Sequence, residues 1–230
     1  MDADAVRADE TTGPATVIAR GGRALVPAFA LTSFFSAALL FSIQPLFAKM
    51  VLPVLGGAPS VWAVAVCFFQ LALLIGYCYA HVLRSFFSLA LSGWVHLSLC
   101  VLAFAALPIT LPARWGETPQ GDPYLWQLGL FAAGVGLPFV AVSANAPLLQ
   151  AWFSGTRHPA AKDPYFLYAA SNFGSFAALL GYPFLLEPTF GVHALSRYWT
   201  IGFVLLAGCL AAIVWLTLRQ AASSTKPIVQ

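Results

Sequence analysis

The sequence predicts an all-α, polytopic membrane protein that crosses a bilayer six times. Hydrophobic residues make up 60% of its 230 residues and charged residues only 8%, and the mean hydropathy is +0.82. Soluble domains carry about 25% charged residues, and a single small domain cannot hide this much apolar surface from water. The apolar residues also form six long runs, so helices immersed in lipid are the predicted architecture.

Each run is long enough for the roughly 20 apolar residues with which a helix crosses the hydrocarbon core. In chain order the runs cover residues 25–48, 61–83, 87–107, 125–149, 165–186 and 198–218. A β-barrel is excluded because its strands would alternate polar and apolar residues. The membrane domain is predicted at residues 24–219, with a disordered cytoplasmic tail at 1–23 and a second cytoplasmic tail at 220–230.

Turn signals separate the successive runs. Pro53 and the Gly56-Gly57 pair divide the first run from the second, and Arg84-Ser85 divide the second from the third. Proline and glycine interrupt helical patterns, and a short polar pair between two apolar runs is typical of a tight connection. Longer polar connections follow at residues 108–123, 154–164 and 187–197.

The basic residues predict that both termini are cytoplasmic (N-in/C-in). With the N-terminus inside, eight basic residues lie on the inner side: Arg7, Arg20, Arg23, Arg84, Arg157, Lys162, Arg219 and Lys226. The outer side then holds three: Lys49, Arg114 and Arg197. Cytoplasmic segments of membrane proteins carry an excess of Lys and Arg, which favours this orientation. Trp115 and Trp126 flank the longest outer loop, as expected for an aromatic belt at the interface.

The two halves of the chain contain similar short segments. QPLF at residues 44–47 resembles NAPLL at 145–149, and the matching prolines are 102 residues apart. Gly-Tyr pairs at 76–77 and 181–182 are 105 residues apart. A three-helix unit repeated once has opposite orientations in its two copies, so a 3+3 inverted repeat of the kind found in transporters is predicted. The alternative is chance similarity, because Pro and Gly are frequent in membrane helices.

Polar residues next to prolines are the first candidates for a functional site. Gln44 directly precedes Pro45, and Asn145 lies two residues before Pro147. Together with Pro138, these prolines are candidate helix breaks, since proline leaves a carbonyl one turn back without its amide partner. Gln44 is expected near the outer end and Asn145 near the inner end, as two gates of one pathway. Hydrogen bonding between helices is the alternative role.

A second pair of amides is predicted near the middle of the bilayer. Gln70 and Asn172 lie at corresponding depths in the second and fifth runs. Polar groups inside the hydrocarbon need a partner or a cavity, so the pair is predicted to form a central polar site. A structural amide clamp between the two helices is the alternative.

No pattern points to a cofactor, a metal ion or a catalytic group. The cysteines, which all lie in apolar runs, are Cys67, Cys78, Cys100 and Cys209. Small buried hydrophobes are the usual role of such cysteines, and none has metal-ligand spacing. His81 and His96 flank Arg84 in the sequence and are expected at the interface. Lys49 and Glu187 end two runs on the same side and are candidates for an ion pair.

Two segments have a distinctive sequence. They read ALLFSIQPLFAKMVLPVLGGAPSVWAVAVCFFQLALLIGYCYAHVL at 38–83 and DPYFLYAASNFGSFAALLGYPFLLEPTFG at 163–191. They resemble the membrane part of bacterial fused spermidine-synthase-like proteins, also described as fused major-facilitator/spermidine-synthase proteins. The similarity extends over roughly residues 25–218, and QPLFAKM…LPVLGGAPSVW is its most specific part.

The resemblance implies a place and an orientation. In that family the membrane helices precede a cytoplasmic domain similar to aminopropyltransferases, so the C-terminus is expected on the cytoplasmic side of a bacterial inner membrane. The present sequence ends at Gln230, just after the sixth run, without that domain. The enzymatic activity of the family is therefore not expected of this chain.

These observations favour a non-enzymatic integral membrane module that is a subunit or docking partner of a larger membrane complex. The expected partners are lipid and either another membrane protein or a second copy of the chain. A net charge of +3 without a basic block argues against nucleic acid. The alternative is a transporter of a small, polyamine-like solute that works as a dimer. A lipid-modifying enzyme is a third hypothesis, for which only the loop at 157–163 offers polar groups.

Overall fold

The computed structural model describes residues 14–112, 115 and 123–223. Within these ranges it describes the side chains of residues 24–219. The described residues form a helical bundle without strands, in which five helices are long and apolar enough to span a membrane and one is shorter. The predicted all-α polytopic fold is thereby confirmed. The helices are α1 Pro14–Leu55, α2 Pro59–Phe86, α3 Leu89–Phe104, α4 Pro123–Ser154, α5 Tyr165–Thr189 and α6 Val192–Ser223.

Local sequence signals set the tight connections between the first three helices. Gly56, at φ +73°, ends α1 and donates its amide to the carbonyl of Leu52, a conformation that glycine adopts without a steric penalty. Pro59 begins α2, where its missing amide would have had no helical partner. Ser88 caps α3 by accepting a 3.3 Å hydrogen bond from the amide of Leu91. Tight connections therefore join α1 to α2 and α2 to α3, although the two helices of each pair share few contacts.

The third span combines a short helix with irregular chain. At 16 residues, α3 is about 24 Å long, which is less than the roughly 30 Å of a hydrocarbon core. It stops at Phe104 instead of reaching the predicted end at residue 107, because the residue before Pro108 disfavours the helical conformation. Ile109 is completely buried, and its carbonyl accepts a 2.6 Å hydrogen bond from Ser196. Around Ile109 the irregular chain is only partly buried, since Ala105, Pro108 and Thr110 are exposed.

The structure changes the predicted boundaries of the terminal tails. Helix α1 begins at Pro14, so residues 14–23 are helical and the expectation of a disordered tail is corrected there. Residues 1–13 lie outside the described residues. At the other end α6 continues to Ser223, beyond the predicted span end at 218. Residues 224–230 also lie outside the described part.

Helix α4 is irregular at two points, each close to a predicted break. A π-helical segment at Ala132–Gly136 precedes the buried Pro138. Since proline lacks an amide and its ring displaces the carbonyl four residues back, the wider π turn accommodates it. A turn at Ala144 then separates the segments Leu137–Ser143 and Asn145–Ser154, and Pro147 lies in the first turn of the second segment.

The third predicted break is not found. Pro45 lies inside α1, which stays α-helical on both sides of it. In contrast, α5 has a π-helical segment at Tyr182–Leu186, which contains Pro183. This irregular segment therefore occurs in a helix for which the sequence analysis predicted no break.

The pairing of helices agrees with a two-fold relation between the halves of the chain. Helix α1 packs most extensively on α5, and the other well-packed pairs are α2 with α4, α1 with α6, α1 with α4, α3 with α6 and α3 with α4. When the halves are exchanged, α1–α5 corresponds to α4–α2 and α1–α6 corresponds to α4–α3, while α1–α4 and α3–α6 each correspond to themselves. The glycines do not follow the relation closely. Gly76 packs on Ser143 of α4 and Gly174 packs on the backbone of Phe34, whereas a Cβ atom added at Gly181, the predicted counterpart of Gly76, would meet no other part of the bundle within 4 Å.

The helix ends separate into two groups on opposite sides of the bundle. One side holds the predicted Lys49–Glu187 ion pair, confirmed at 3.1 Å, and the packed rings of Trp115 and Trp126. The other holds the end of α2, the start of α3 and the end of α4, where Leu89 lies against Gly155. The start of α1 and the end of α6 belong to this second side, which also carries Arg84, Arg157, Lys162 and Arg219. We call it the inner side, in keeping with the prediction from charge.

Candidate functional site: a buried polar cluster and two outward-facing amides

Three helices meet at a chain of buried hydrogen bonds. The side chain of Asn145 on α4 is 1% exposed and lies between His96 of α3 and Ser36 of α1. Its Nδ2 donates to Ser36 Oγ at 3.0 Å, and Ser36 Oγ donates in turn to the carbonyl of Val142 at 3.4 Å. Asn145 Oδ1 therefore faces His96 and accepts a 2.7 Å hydrogen bond from its Nε2. From the His96 imidazole to the Val142 carbonyl, each group therefore donates a hydrogen bond to the next group in the chain.

Local structure explains why Asn145 points inward. The turn at Ala144 divides α4, and Asn145 is the first residue of the helical segment that follows. Asn and other short polar side chains favour such irregular positions over a helix interior. Asn145 is nine positions before Ser154, the inner end of α4. At 1.5 Å per residue, the side-chain amide of Asn145 lies about 14 Å from that end, toward the middle of the bundle. The cluster therefore lies well inside the hydrocarbon region.

A second buried hydrogen bond lies closer to the inner side. Trp152 is 1% exposed, and its Nε1 donates to Ser92 Oγ of α3 at 3.0 Å. The ring centroid of Trp152 is 6.1 Å from that of His96, so the two bonds belong to one packed cluster. The hydrogen bonds of this cluster join α3 to α4 twice and α1 to α4 twice. We call the residues Ser36, Ser92, His96, Asn145 and Trp152 the polar cluster.

The polar cluster contains hydrogen-bonding capacity that no described residue uses. His96 is completely buried, yet its Nδ1 has no partner among the described residues. The same holds for the hydroxyl of Tyr79 on α2, whose ring centroid is 5.9 Å from that of His96. Cys100 Sγ lies 3.8 Å from His96 Nε2. Within the described residues no three His, Cys, Asp or Glu side chains are close enough to hold a metal ion.

The predicted pair of gates is not assembled into a pathway. Asn145 lies in the interior, where its amide is engaged by two neighbouring helices. Gln44 is half-buried on α1 toward the outer side and makes no hydrogen bond to a described side chain. For Asn145 the geometry agrees with the alternative role, which is interhelical hydrogen bonding.

The predicted central site formed by Gln70 and Asn172 is wrong as an arrangement. Both side chains are exposed and point away from the bundle. Gln70 lies on α2, which packs on α4, and Asn172 lies on α5, which packs on α1. The two helices are on opposite flanks of the bundle, so the amides form neither a shared site nor a clamp. Each amide is about 10 Å or more from the nearer end of its helix.

Sequence analysis placed His96 at the interface, and that expectation is also corrected. His96 is seven residues into α3 and buried, whereas His81 is exposed near the inner end of α2. An available signal was the position of His96 within an apolar run, since an ionisable residue inside a membrane span is a functional candidate by default. Ser36 and Ser92 gave no comparable signal, because serine is common in membrane helices.

Comparison with known proteins adds no identification. No family model matches the chain, and neither a curated protein nor a solved structure matches it. The resemblance to bacterial fused spermidine-synthase-like proteins therefore stays a prediction. What the structure supplies is a multi-pass helical membrane fold with a polar cluster inside and two amides outside.

Proposed function

We propose that this chain is a non-enzymatic membrane module that binds transmembrane helices of another membrane protein through the outer faces of α2 and α5. The observation that carries the proposal is the exposure of Gln70 and Asn172 at membrane depth. In lipid, a polar group without a hydrogen-bond partner costs several kcal/mol. A neighbouring helix that supplies the partner removes this cost.

The surroundings of both amides support a helix as the binding partner. On α5, Asn172 lies between Tyr168 and Phe176, which are 60% and 59% exposed. These residues are four apart and therefore form one stripe along the helix. The stripe on the outside of α5 is largely free, since only 17% of the most apolar part of this helix is buried, against 50% for α4.

Helix α2 repeats this arrangement on the opposite flank. Gln70 lies between Val66 and Leu74, which are 59% and 58% exposed and again four residues away on either side. Gln70 and Asn172 are 102 residues apart, the offset that separates Pro45 from Pro147. The two stripes are thus at matching positions of the two halves. The partner helix at each stripe is apolar and carries an amide or hydroxyl group at the depth of the exposed amide.

Site-specific photo-crosslinking tests this proposal. A benzophenone amino acid at Leu74 or Phe176, one turn from each amide, is expected to yield discrete adducts with a partner in membranes. The same probe at Val101, which is 74% exposed on α3 and belongs to neither stripe, is the control and should yield lipid adducts only. Gln70→Leu is expected to abolish the adduct at Leu74, and Asn172→Leu the adduct at Phe176.

Equal crosslinking from all three probe positions, or adducts that persist in both leucine variants, would contradict the proposal. The partner band is identified by mass spectrometry, which also separates another protein from a second copy of this chain. We place the complex in a bacterial inner membrane with both termini inside, on the strength of the sequence resemblance and of the basic residues on the inner side.

A second candidate function is transport of a small, polyamine-like solute by a dimer. The observation that favours it is the agreement of the helix pairs with a two-fold relation between the halves, since inverted repeats are common in transporters. Uptake of labelled polyamine into proteoliposomes that contain the purified chain is the direct test. Uptake above that of empty liposomes supports transport, and its absence alongside a crosslinked partner supports the docking module.

A further inference from the structure

A cavity of about 150 Å³ opens between α1, α5 and α6 in the outer half of the bundle. Its lining residues are Leu39, Ser42, Leu46, Tyr182, Leu186, Leu195, Tyr198 and Trp199. A space of about 150 Å³ accommodates a benzene-sized group. The walls of this cavity are mostly leucine and aromatic side chains, so a hydrocarbon segment fits it.

Tyr182 adds an unused polar group to the apolar wall. Its side chain is 3% exposed, and its hydroxyl has no hydrogen-bond partner among the described residues. Trp199 is also buried, but its Nε1 already donates to the carbonyl of Leu39 at 3.0 Å. A ligand with an acceptor oxygen beside its hydrocarbon part would satisfy the tyrosine. A buried hydroxyl that lacks a partner is costly, so such a ligand gains affinity there.

A pair of opposite charges lies at the outer end of the same cavity. Lys49 is three residues beyond Leu46 on α1, and Glu187 directly follows Leu186 on α5. Their Nζ and Oε1 atoms are 3.1 Å apart, with side chains 33% and 42% exposed. Each charge therefore retains a free side toward the headgroup region. A ligand that carries one positive and one negative group could pack against this ion pair. The four charges would then alternate in sign around a ring, and the bond between Lys49 and Glu187 would stay intact.

We propose that the cavity is a binding site for a phospholipid with a primary-amine headgroup. The phosphate lies beside Lys49, the ammonium lies beside Glu187 and one acyl chain enters the cavity. Tyr182 is five residues before Glu187, or about 7 Å deeper in the membrane. An ester carbonyl lies below the phosphate of a phospholipid, so it is the natural acceptor for the Tyr182 hydroxyl. This site faces the outer half of the bundle and does not depend on the docking of a partner.

Native mass spectrometry of the detergent-purified chain tests the site. The probes are phosphatidylethanolamine and phosphatidylglycerol with identical acyl chains; the first has an ammonium group beyond its phosphate, and the second has an uncharged glycerol there. The wild type is expected to retain phosphatidylethanolamine preferentially. Glu187→Gln should lower that retention about two- to fivefold, which corresponds to one exposed ion pair, and should leave phosphatidylglycerol unchanged.

Cavity-filling variants separate a built site from general lipid contact. Leu195→Trp fills the cavity and Ser42→Leu fills it more gently; either is expected to lower retention of both lipids. Arg197→Gln is the control, because Arg197 is an exposed outer-side cation that does not line the cavity. Thermal unfolding of each variant in detergent establishes that it is folded. Equal retention of the two lipids by the wild type, or undiminished retention in folded cavity-filling variants, overturns the proposal.

Discussion

Replacing Asn145 by leucine is expected to lower the free energy of unfolding by about 1–3 kcal/mol. The side chain makes two hydrogen bonds, at 2.7 Å to His96 and 3.0 Å to Ser36. Interhelical hydrogen bonds in membrane bundles stabilise by about 0.6 kcal/mol on average and up to about 1.7 kcal/mol each, and the expected range is twice that contribution. Leucine also leaves the Nε2 donor of His96 buried without an acceptor, which favours the upper part of the range.

The measurement is reversible unfolding in mixed micelles, followed by tryptophan fluorescence as the fraction of denaturing detergent rises. Ser36→Ala supplies the second arm of a double-mutant cycle with Asn145→Leu. A coupling energy of about 0.6–1.7 kcal/mol is expected, because the variants remove the same hydrogen bond. If the two losses add within about 0.3–0.5 kcal/mol, the residues are independent and the structure of the polar cluster is refuted.

Asn172→Leu is the matched control for this cycle. It makes the same chemical change at an exposed position on α5, where the amide has no hydrogen bond to a described residue. Its effect on unfolding is expected to stay within about 0.5 kcal/mol, the usual range for surface substitutions. A loss as large as that of Asn145→Leu would show that the assay reports the removal of any polar side chain and not the buried bonds.

Two further predictions use the same unfolding assay. Gly174→Ala should destabilise the bundle by about 1–3 kcal/mol, because the added Cβ meets the Phe34 backbone, which cannot rotate away as a side chain does. Gly181→Ala is its control and should be neutral or stabilising, because the added Cβ has nothing within 4 Å. Trp152→Phe should cost about 0.6–1.7 kcal/mol through loss of the 3.0 Å bond to Ser92, and Ser92→Ala should add little in that background. If the losses of stability from Trp152→Phe and Ser92→Ala added fully in the double variant, the hydrogen bond between Trp152 and Ser92 would be contradicted.

The sequence predicted the helices and their order well, because apolar run length reports directly on the solvent around a membrane protein. It failed where tertiary packing decided the outcome. The third run reads as a full span, yet α3 ends at Phe104 and irregular chain follows, in which Ile109 is buried. Pro45 reads as a break, yet α1 continues through it, while α5 changes to a π-helical segment around Pro183.

The candidate site was predicted only in part, for a related reason. Asn145 was selected correctly as an intramembrane polar residue, but its partners His96 and Ser36 come from helices 49 and 109 residues away in sequence. Gln70 and Asn172 were predicted to face each other inside the bundle, but both are exposed on its outside. An apolar run surrounded by lipid is apolar on every face, so its periodicity does not indicate which side chains point inward.

The central claim is that successive connections between the helices lie on opposite sides of a membrane. Labelling of single cysteines tests this claim most directly. In a variant without its native cysteines, new cysteines replace Gly57 and Gly191 on the outer side and Ser85 and Ser154 on the inner side, all of them exposed. A membrane-impermeant maleimide is expected to label the first two in intact cells, and the second two only after the membrane is disrupted. Labelling of Gly57→Cys and Ser85→Cys under the same condition would mean that α2 does not cross, and the account would fail.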